Sequence, residues 1–262
     1  MKIDGLQNFR DTGGTPLTQG GVSRSGVLFR SEGLGNLTRQ GLKDLAATDI
    51  GVIADFRTPQ ERDMAPDLLP QSREFRVVEL PLLEGAMTGM AQGVMKASDP
   101  DAAAAAIQHA LATLPSLSDL YIHMLQGGAT SFAELARLVA ASTDKPPTAV
   151  LAHCTAGKDR TGIAVALLLE AVGADREAVI ADYTSSADNL AGPWADRMRG
   201  MVTAMGVPLT PEIDRLLTAT PPDALRGALA WVDSEHGGAS GYLQSGGLSD
   251  DELAALRQRL AG

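Results

Sequence analysis

One cysteine, Cys154, occurs among 262 residues, so no disulfide can close within the chain. That scarcity suits a reducing compartment. It also removes a resolving-cysteine mechanism, because an oxidised Cys154 would need an external thiol or a backbone amide. Four scattered histidines and the one cysteine offer no metal-ligand spacing, so neither a metal nor a cofactor is expected. Aromatic residues are only 4% of the chain and form no stacking pattern for bases, while the net charge of −10 opposes nucleic acid and acidic membrane surfaces. An anionic substrate would have to be drawn by local positive potential. The longest purely apolar run, Ile163 to Leu169, is too short to span a membrane, and MKIDGLQNFRDTGG lacks the apolar core of a secretory signal. The expectation is therefore no stable membrane insertion and a cytoplasmic location, with export by a signal-less route left open. No internal repeat is visible, and the oligomeric state is not legible.

What is present suits one globular domain over 1–262: 44% hydrophobic and 21% charged residues. Apolar runs at 50–54, 75–80 and 149–152 read as strands. Thr38 caps a helix through about Ala47, and Thr58-Pro59 with Glu61 is a helix start with a cap, a first-turn proline and a capping-box acid. Ser131 to Ala141 is an amphipathic helix, and Asp175 caps another through about Ser186. Further helices start at Pro193, Pro211 and Pro222, and Ser249 with Glu252 opens the last. Strands alternating with helices imply an α/β fold with a central, mainly parallel sheet flanked by helices. Between Gly85 and Gly128 the composition shifts. Met and Gly dominate 86–95, Asp101 opens an alanine-rich helix, and Ser116 caps a second one, LSDLYIHMLQ. This reads as a helical insertion over about 85–128.

The stretch AVLAHCTAGKDRTG, 149–162, carries the chemistry. A buried strand leads through Cys154 and five further residues to Arg160 and an almost wholly apolar helix. A loop of this length entering a helix N-terminus can turn successive backbone N–H groups toward one centre and bind a tetrahedral oxyanion. Thr155, Ala156, Gly157, Lys158 and Thr161 are thus candidate phosphate-loop residues, with Arg160 gripping two anion oxygens. Cys154 would lie under the anion, where such a field lowers a thiol from ~8.5 to roughly 3.5–7.5. A buried structural cysteine is the plain alternative. A nucleotide P-loop fails, because Asp159 stands where Ser or Thr would hold magnesium. Rhodanese-like sulfur transfer, which also uses a cysteine in an anion loop, is a further alternative.

His153-Cys154, five residues, then Arg160-Thr161-Gly162 resembles the signature of the cysteine-dependent protein tyrosine and dual-specificity phosphatases. The fuller HCTAGKDRTG is similar to a bacterial branch, the PtpB-like tyrosine/lipid phosphatases. NFRDTGG at 8–14 resembles that branch's opening motif, and GVLFRSEGLGNLT its arginine-bearing strand leading to a helix. Without the resemblance, Arg10 and Arg30 read as surface charges near a Gly-rich hairpin. Asp55 to Glu61 resembles a D-x-R-(S/T)-x-x-E element beside the family's site, which makes Asp55 and Arg57 partners of each other or of the loop. Glu84 falls where relatives carry an aspartate, though it also reads as a solvated loop residue. The GYL…GLS…E…LR tail is similar too.

The resemblance implies a protein tyrosine phosphatase-like fold with a mobile helical lid, and a two-step reaction through a phosphocysteine on Cys154. It implies that Arg160 and the loop amides stabilise the equatorial oxygens, that Thr161 donates to the thiolate, and that His153 holds the loop. Asp159 is the expected general acid, with Glu84 the other candidate. Lys158 is expected to meet extra negative charge, so phosphoinositides compete with phosphorylated proteins as substrates, phosphoserine and phosphothreonine included. A non-catalytic phosphate-binding pseudophosphatase is the competing reading, which the intact Cys154 and Arg160 oppose.

Overall fold

Five strands form one sheet in the order β1-β2-β5-β3-β4 in the computed structural model, which describes residues 1–82, 116–204 and 207–261. These are β1 (Arg10–Asp11), β2 (Leu28–Ser31), β3 (Ile50–Asp55), β4 (Arg76–Glu79) and β5 (Ala149–His153). Only β1 runs antiparallel to its neighbour; the other pairings are parallel. The central strand β5 is buried at every residue and apolar from Ala149 to Ala152 because both of its faces are covered, as parallel strands require. Val150 and Ala152 join the larger core, while Ala149 and Leu151 pack on the opposite side with Phe29, Leu34, Leu45 and Ile53. This is the two-residue alternation of a strand read onto two cores.

Register decides where a site can form. Ser31 of β2 and Asp55 of β3 both pair with His153 of β5, so three parallel strands end in one row. The loops leaving those carboxyl ends meet in a single crevice, the usual ligand position in open α/β sheets.

Helices α1 (Arg39–Ala46) and α2 (Pro59–Met64) begin at the expected caps: Thr38 accepts from the Gly41 N–H, and Thr58 and Glu61 form a full capping box. Helix α3 (Leu117–Ala140) differs from expectation. Two helices were read here, one ending near Gln126 inside an insertion and one starting at Ser131; a single helix of 24 residues runs through Gly127 and Gly128. Leu120, Tyr121, Met124, Leu125 and Gly128 are buried in the main core. Residues 117–128 are thus a core element, and burial of that face outweighs the roughly 1 kcal/mol each glycine costs in a helix. The rest of the expected insertion, and Glu84, lie outside the described residues.

Helix α4 (Arg160–Ala171) is buried at every residue but Glu170, as its lack of a polar face requires. The chain continues through α5 (Arg176–Leu190), α6 (Pro193–Ala204), α7 (Pro211–Thr218), α8 (Pro222–His236), α9 (Ala239–Ser245) and α10 (Asp250–Ala261), of which α5, α9 and α10 pack against α4 together with α3. Among the described residues no helix is long and apolar enough to cross a membrane.

The two glycines of α3 should respond oppositely to substitution. A Cβ at Gly128 would lie 2.8 Å from Leu82 Cδ2 and from Phe132 Cε2, whereas Gly127 has nothing within 4 Å among the described residues. In urea denaturation, Gly127→Ala should stabilise by about 0.5–1 kcal/mol. Gly128→Ala should destabilise by about 1–3 kcal/mol. Equal effects at both positions would contradict the packing.

Candidate active site

The loop 154–159 leaves β5 and enters α4 at Arg160. Gly157 makes the turn possible. Its φ is +67°, and a Cβ there would stand 2.1 Å from the Ser31 carbonyl oxygen, so neither conformation nor space admits a side chain. The Gly157 N–H donates to Cys154 Sγ at 3.2 Å. Cys154 is buried, in the loop that leads to the N-terminal end of α4, where helix dipole and loop N–H groups favour a bound anion.

Arg160, the first residue of α4, is gripped from α2. Its Nη1 and Nη2 donate to Glu61 Oε2 and Oε1 at 2.8 and 2.6 Å, and Nη1 also reaches the Phe56 carbonyl at 3.2 Å. Thr155 Oγ1 donates to Glu61 Oε1 at 2.5 Å. Burial pushes the Glu61 carboxyl up, but the Arg160 hydrogen bonds and charge, with Thr155 and the Thr58 N–H, outweigh it and hold it at about 2. In the sequence Glu61 reads as a capping-box acid and as the end of the D-x-R-(S/T)-x-x-E element beside the family's site; nothing local signals that its carboxylate fixes Arg160.

Asp159 sits at the start of α4 with no capping bond of its own. Its Oδ1 accepts from the Tyr121 hydroxyl of α3 and from Lys158 Nζ, the latter at 3.0 Å. Tyr121 in turn shares a 2.8 Å hydrogen bond with the Tyr183 hydroxyl of α5. Burial, then the Asp159 charge, raises both phenols above their ordinary range, so both stay protonated and able to donate. Lys158 does not take the place expected of it. Its side chain is buried, and Nζ donates to the carbonyls of Leu216 and Ala219 at 2.9 and 3.1 Å as well as to Asp159. The lysine anchors the loop to the end of α7.

Behind the loop, Arg57 binds Asp55 through Nε and Nη2 at 2.8–3.1 Å and reaches Asp67 at 2.6 Å. His153 Nε2 lies 3.3 Å from Asp67 Oδ2, and its Nδ1 lies 3.3 Å from the Cys154 carbonyl. Asp55, Asp67 and His153 bring ligand atoms within 4.8 Å of one another, a spacing a cation could use, but the Arg57 guanidinium already spans both carboxylates.

Arg10 and Arg30 are not scattered surface charges. Arg30 is fully buried, and both pair with Asp182 of α5, a partner no sequence signal indicated. Thr161 Oγ1 is buried with no hydrogen-bond partner among the described residues, so the expected donation to Cys154 is absent from this geometry.

The depressed Glu61 carboxyl contributes stability that is present above its unfolded value of 4.5 and is lost as pH falls toward 2. Urea midpoints measured against pH should therefore drop less between pH 4.5 and 2 in Glu61→Gln than in the wild type, with the wild type more stable at neutral pH. Parallel pH profiles would contradict the ion pair.

A family model described as "Tyrosine phosphatase family" matches residues 1–262. The chain is 32% identical over 241 residues to a tyrosine-protein phosphatase of Nostoc commune, covering 89% of this chain and 74% of that one. It is 28% identical over 289 residues to the triple specificity protein phosphatase PtpB of Mycobacterium tuberculosis, covering 100% of this chain and 99% of that one. With its signature loop folded around Cys154 and Arg160, the chain belongs to the tyrosine phosphatase family.

Proposed function

We propose that this protein hydrolyses phosphotyrosine through a phosphocysteine on Cys154. The observation that carries the reading is Cys154 Sγ accepting the Gly157 N–H at the end of a loop that closes on Arg160. In the first step the Cys154 thiolate attacks phosphorus in line, the ester P–O bond breaks, and Asp159 gives its proton to the leaving oxygen. In the second, water attacks the phosphocysteine, Asp159 takes its proton back, and the P–S bond breaks to return thiolate. Loop amides and Arg160 stabilise charge on the equatorial oxygens in both.

Asp159 suits the acid–base role because it adjoins Arg160 in the loop and its carboxylate is oriented by Tyr121. A range broader than phosphotyrosine, with phosphoserine and phosphothreonine first and phosphoinositides as the further candidate, is favoured by one observation: a relative spanning the whole chain is named a triple specificity protein phosphatase. Against a dedicated inositide site, the Lys158 ammonium is engaged by two backbone carbonyls and Asp159. The substrate is a phosphorylated protein before it is a lipid.

Cys154→Ser should abolish phosphate release from phosphotyrosine peptide and p-nitrophenyl phosphate while leaving vanadate binding measurable. Turnover in a clean serine variant would overturn the nucleophile assignment. Asp159→Asn should lose on the order of 10²–10⁴-fold on an alkyl phosphate and much less on p-nitrophenyl phosphate, whose leaving group needs no proton. Tyr121→Phe should show the same leaving-group pattern in weaker form, and Glu84→Gln should be near normal. If Glu84→Gln alone shows the pattern, the acid is Glu84.

A further inference from the structure

A peptide unit is planar and trans, so its C=O and N–H point in opposite directions. Whatever holds a loop carbonyl outward therefore aims the next residue's N–H inward. In this loop three consecutive carbonyls are held from outside. The Thr155 carbonyl accepts from the Gly33 N–H at 3.2 Å. The Ala156 carbonyl accepts from Asn8 Nδ2 at 3.1 Å. The Gly157 carbonyl accepts from both Asn8 Nδ2 at 3.2 Å and Arg30 Nη2 at 2.7 Å. The N–H groups of Ala156, Gly157 and Lys158 consequently face the thiol side, and the Gly157 N–H is seen donating to Cys154 Sγ.

Asn8 and Arg30 are themselves fixed. Arg10 Nη1 donates to the Asn8 side-chain oxygen, which leaves Asn8 Nδ2 turned to the loop. Arg10 and Arg30 share Asp182, at 2.6 and 2.5 Å, and both reach Ser186 Oγ. The Asn8 N–H donates to Glu32 Oε2 at 2.9 Å. Asn8 and Arg30 are buried, so each has given up water for these partners.

We propose that Asn8 and Arg30 are positioning residues for the hydrolytic reaction: they set the inward direction of the Gly157 and Lys158 N–H groups that receive the oxyanion. Arg10 and Asp182 orient them in turn. The inference rests on the phosphatase reading of the loop, and assigns Asn8 and Arg10 a task at a loop that follows them by more than a hundred residues. Without these two side chains the peptides at 156–158 are free to rotate, and an N–H displaced by about 1 Å can cost roughly 10²-fold in rate.

The decisive variant is Asn8→Asp. It keeps the shape of the side chain and the oxygen that Arg10 binds, removes the donor to the two loop carbonyls and adds a negative charge, for which the neutral Asn8→Ser is the control. Thermal melting should stay within a few degrees of wild type. Inhibition by inorganic vanadate should weaken about 10–100-fold, and kcat/KM on p-nitrophenyl phosphate should fall with it, mostly in kcat. The amide resonances of Gly157 and Lys158 should move when vanadate is added to the wild type and not when it is added to the variant. Should Asn8→Asp fail to fold, Asn8→Ser, whose hydroxyl is too short to serve both loop carbonyls, takes its place with the same expectations. A folded Asn8 variant with wild-type vanadate affinity, turnover and amide response overturns the inference. The phosphatase reading is tested separately: turnover that persists in Cys154→Ser overturns that reading instead.

Discussion

The loop that carries Cys154 has three successive carbonyls held by donors from outside it, and much of the surrounding structure serves those bonds. Outward carbonyls present the negative ends of peptide dipoles to the protein interior, so they need buried donors. Arg30 supplies one, at full burial, and a buried guanidinium needs a carboxylate. Asp182 meets that need, and Arg10 shares it. Burial alone would push the Asp182 carboxyl up, but the two arginines hold it below the ordinary range. Arg10, by contrast, is brought down to about 10, by burial first and then by the charge of Arg30.

A second set of charges supports the other side of the loop. Glu61 fixes Arg160, and Arg57 ties Asp55 to Asp67, which lies against His153. Buried pairs of this kind add little net stability, because desolvation opposes the attraction, yet losing one partner leaves an uncompensated charge. Their value here is geometric. They hold an arginine and a strand end in one orientation before any anion arrives, so no reorganisation is needed when charge develops. Helix α6 completes the support: Trp194 and Ala195 pack with Leu190 of α5 against Ala156, so the loop has an apolar seat as well as polar anchors.

Aspartate, lysine and two tyrosines form the third group. Lys158 docks on the carbonyls at the end of α7, where a cation complements the helix dipole. The Tyr121–Tyr183 pair brings α3 and α5 to Asp159. Three helices, α3, α5 and α7, thus converge on one carboxylate, with Lys158 Nζ joining the end of α7 to Asp159.

Features that depend on a few residues of sequence were legible from the chain alone. The unbroken apolar run in β5 identified a buried strand, the caps at Thr38, Thr58, Asp175 and Ser249 marked helix starts, and the stretch from Cys154 to Arg160 marked a tight strand-to-helix loop. Each follows from a local rule of period, capping or turn length. Tertiary structure decided which charges pair, where Lys158 points, and whether α3 breaks at two glycines. Arg160 finds Glu61 from 99 residues away and Arg30 finds Asp182 from 152. No local signal encodes such partners, because a buried charge is satisfied by whatever carboxylate the packed fold brings within hydrogen-bond reach. The same holds for α3, whose glycines would weaken an isolated helix and are overridden only once Leu120, Met124 and Phe132 have a core to enter.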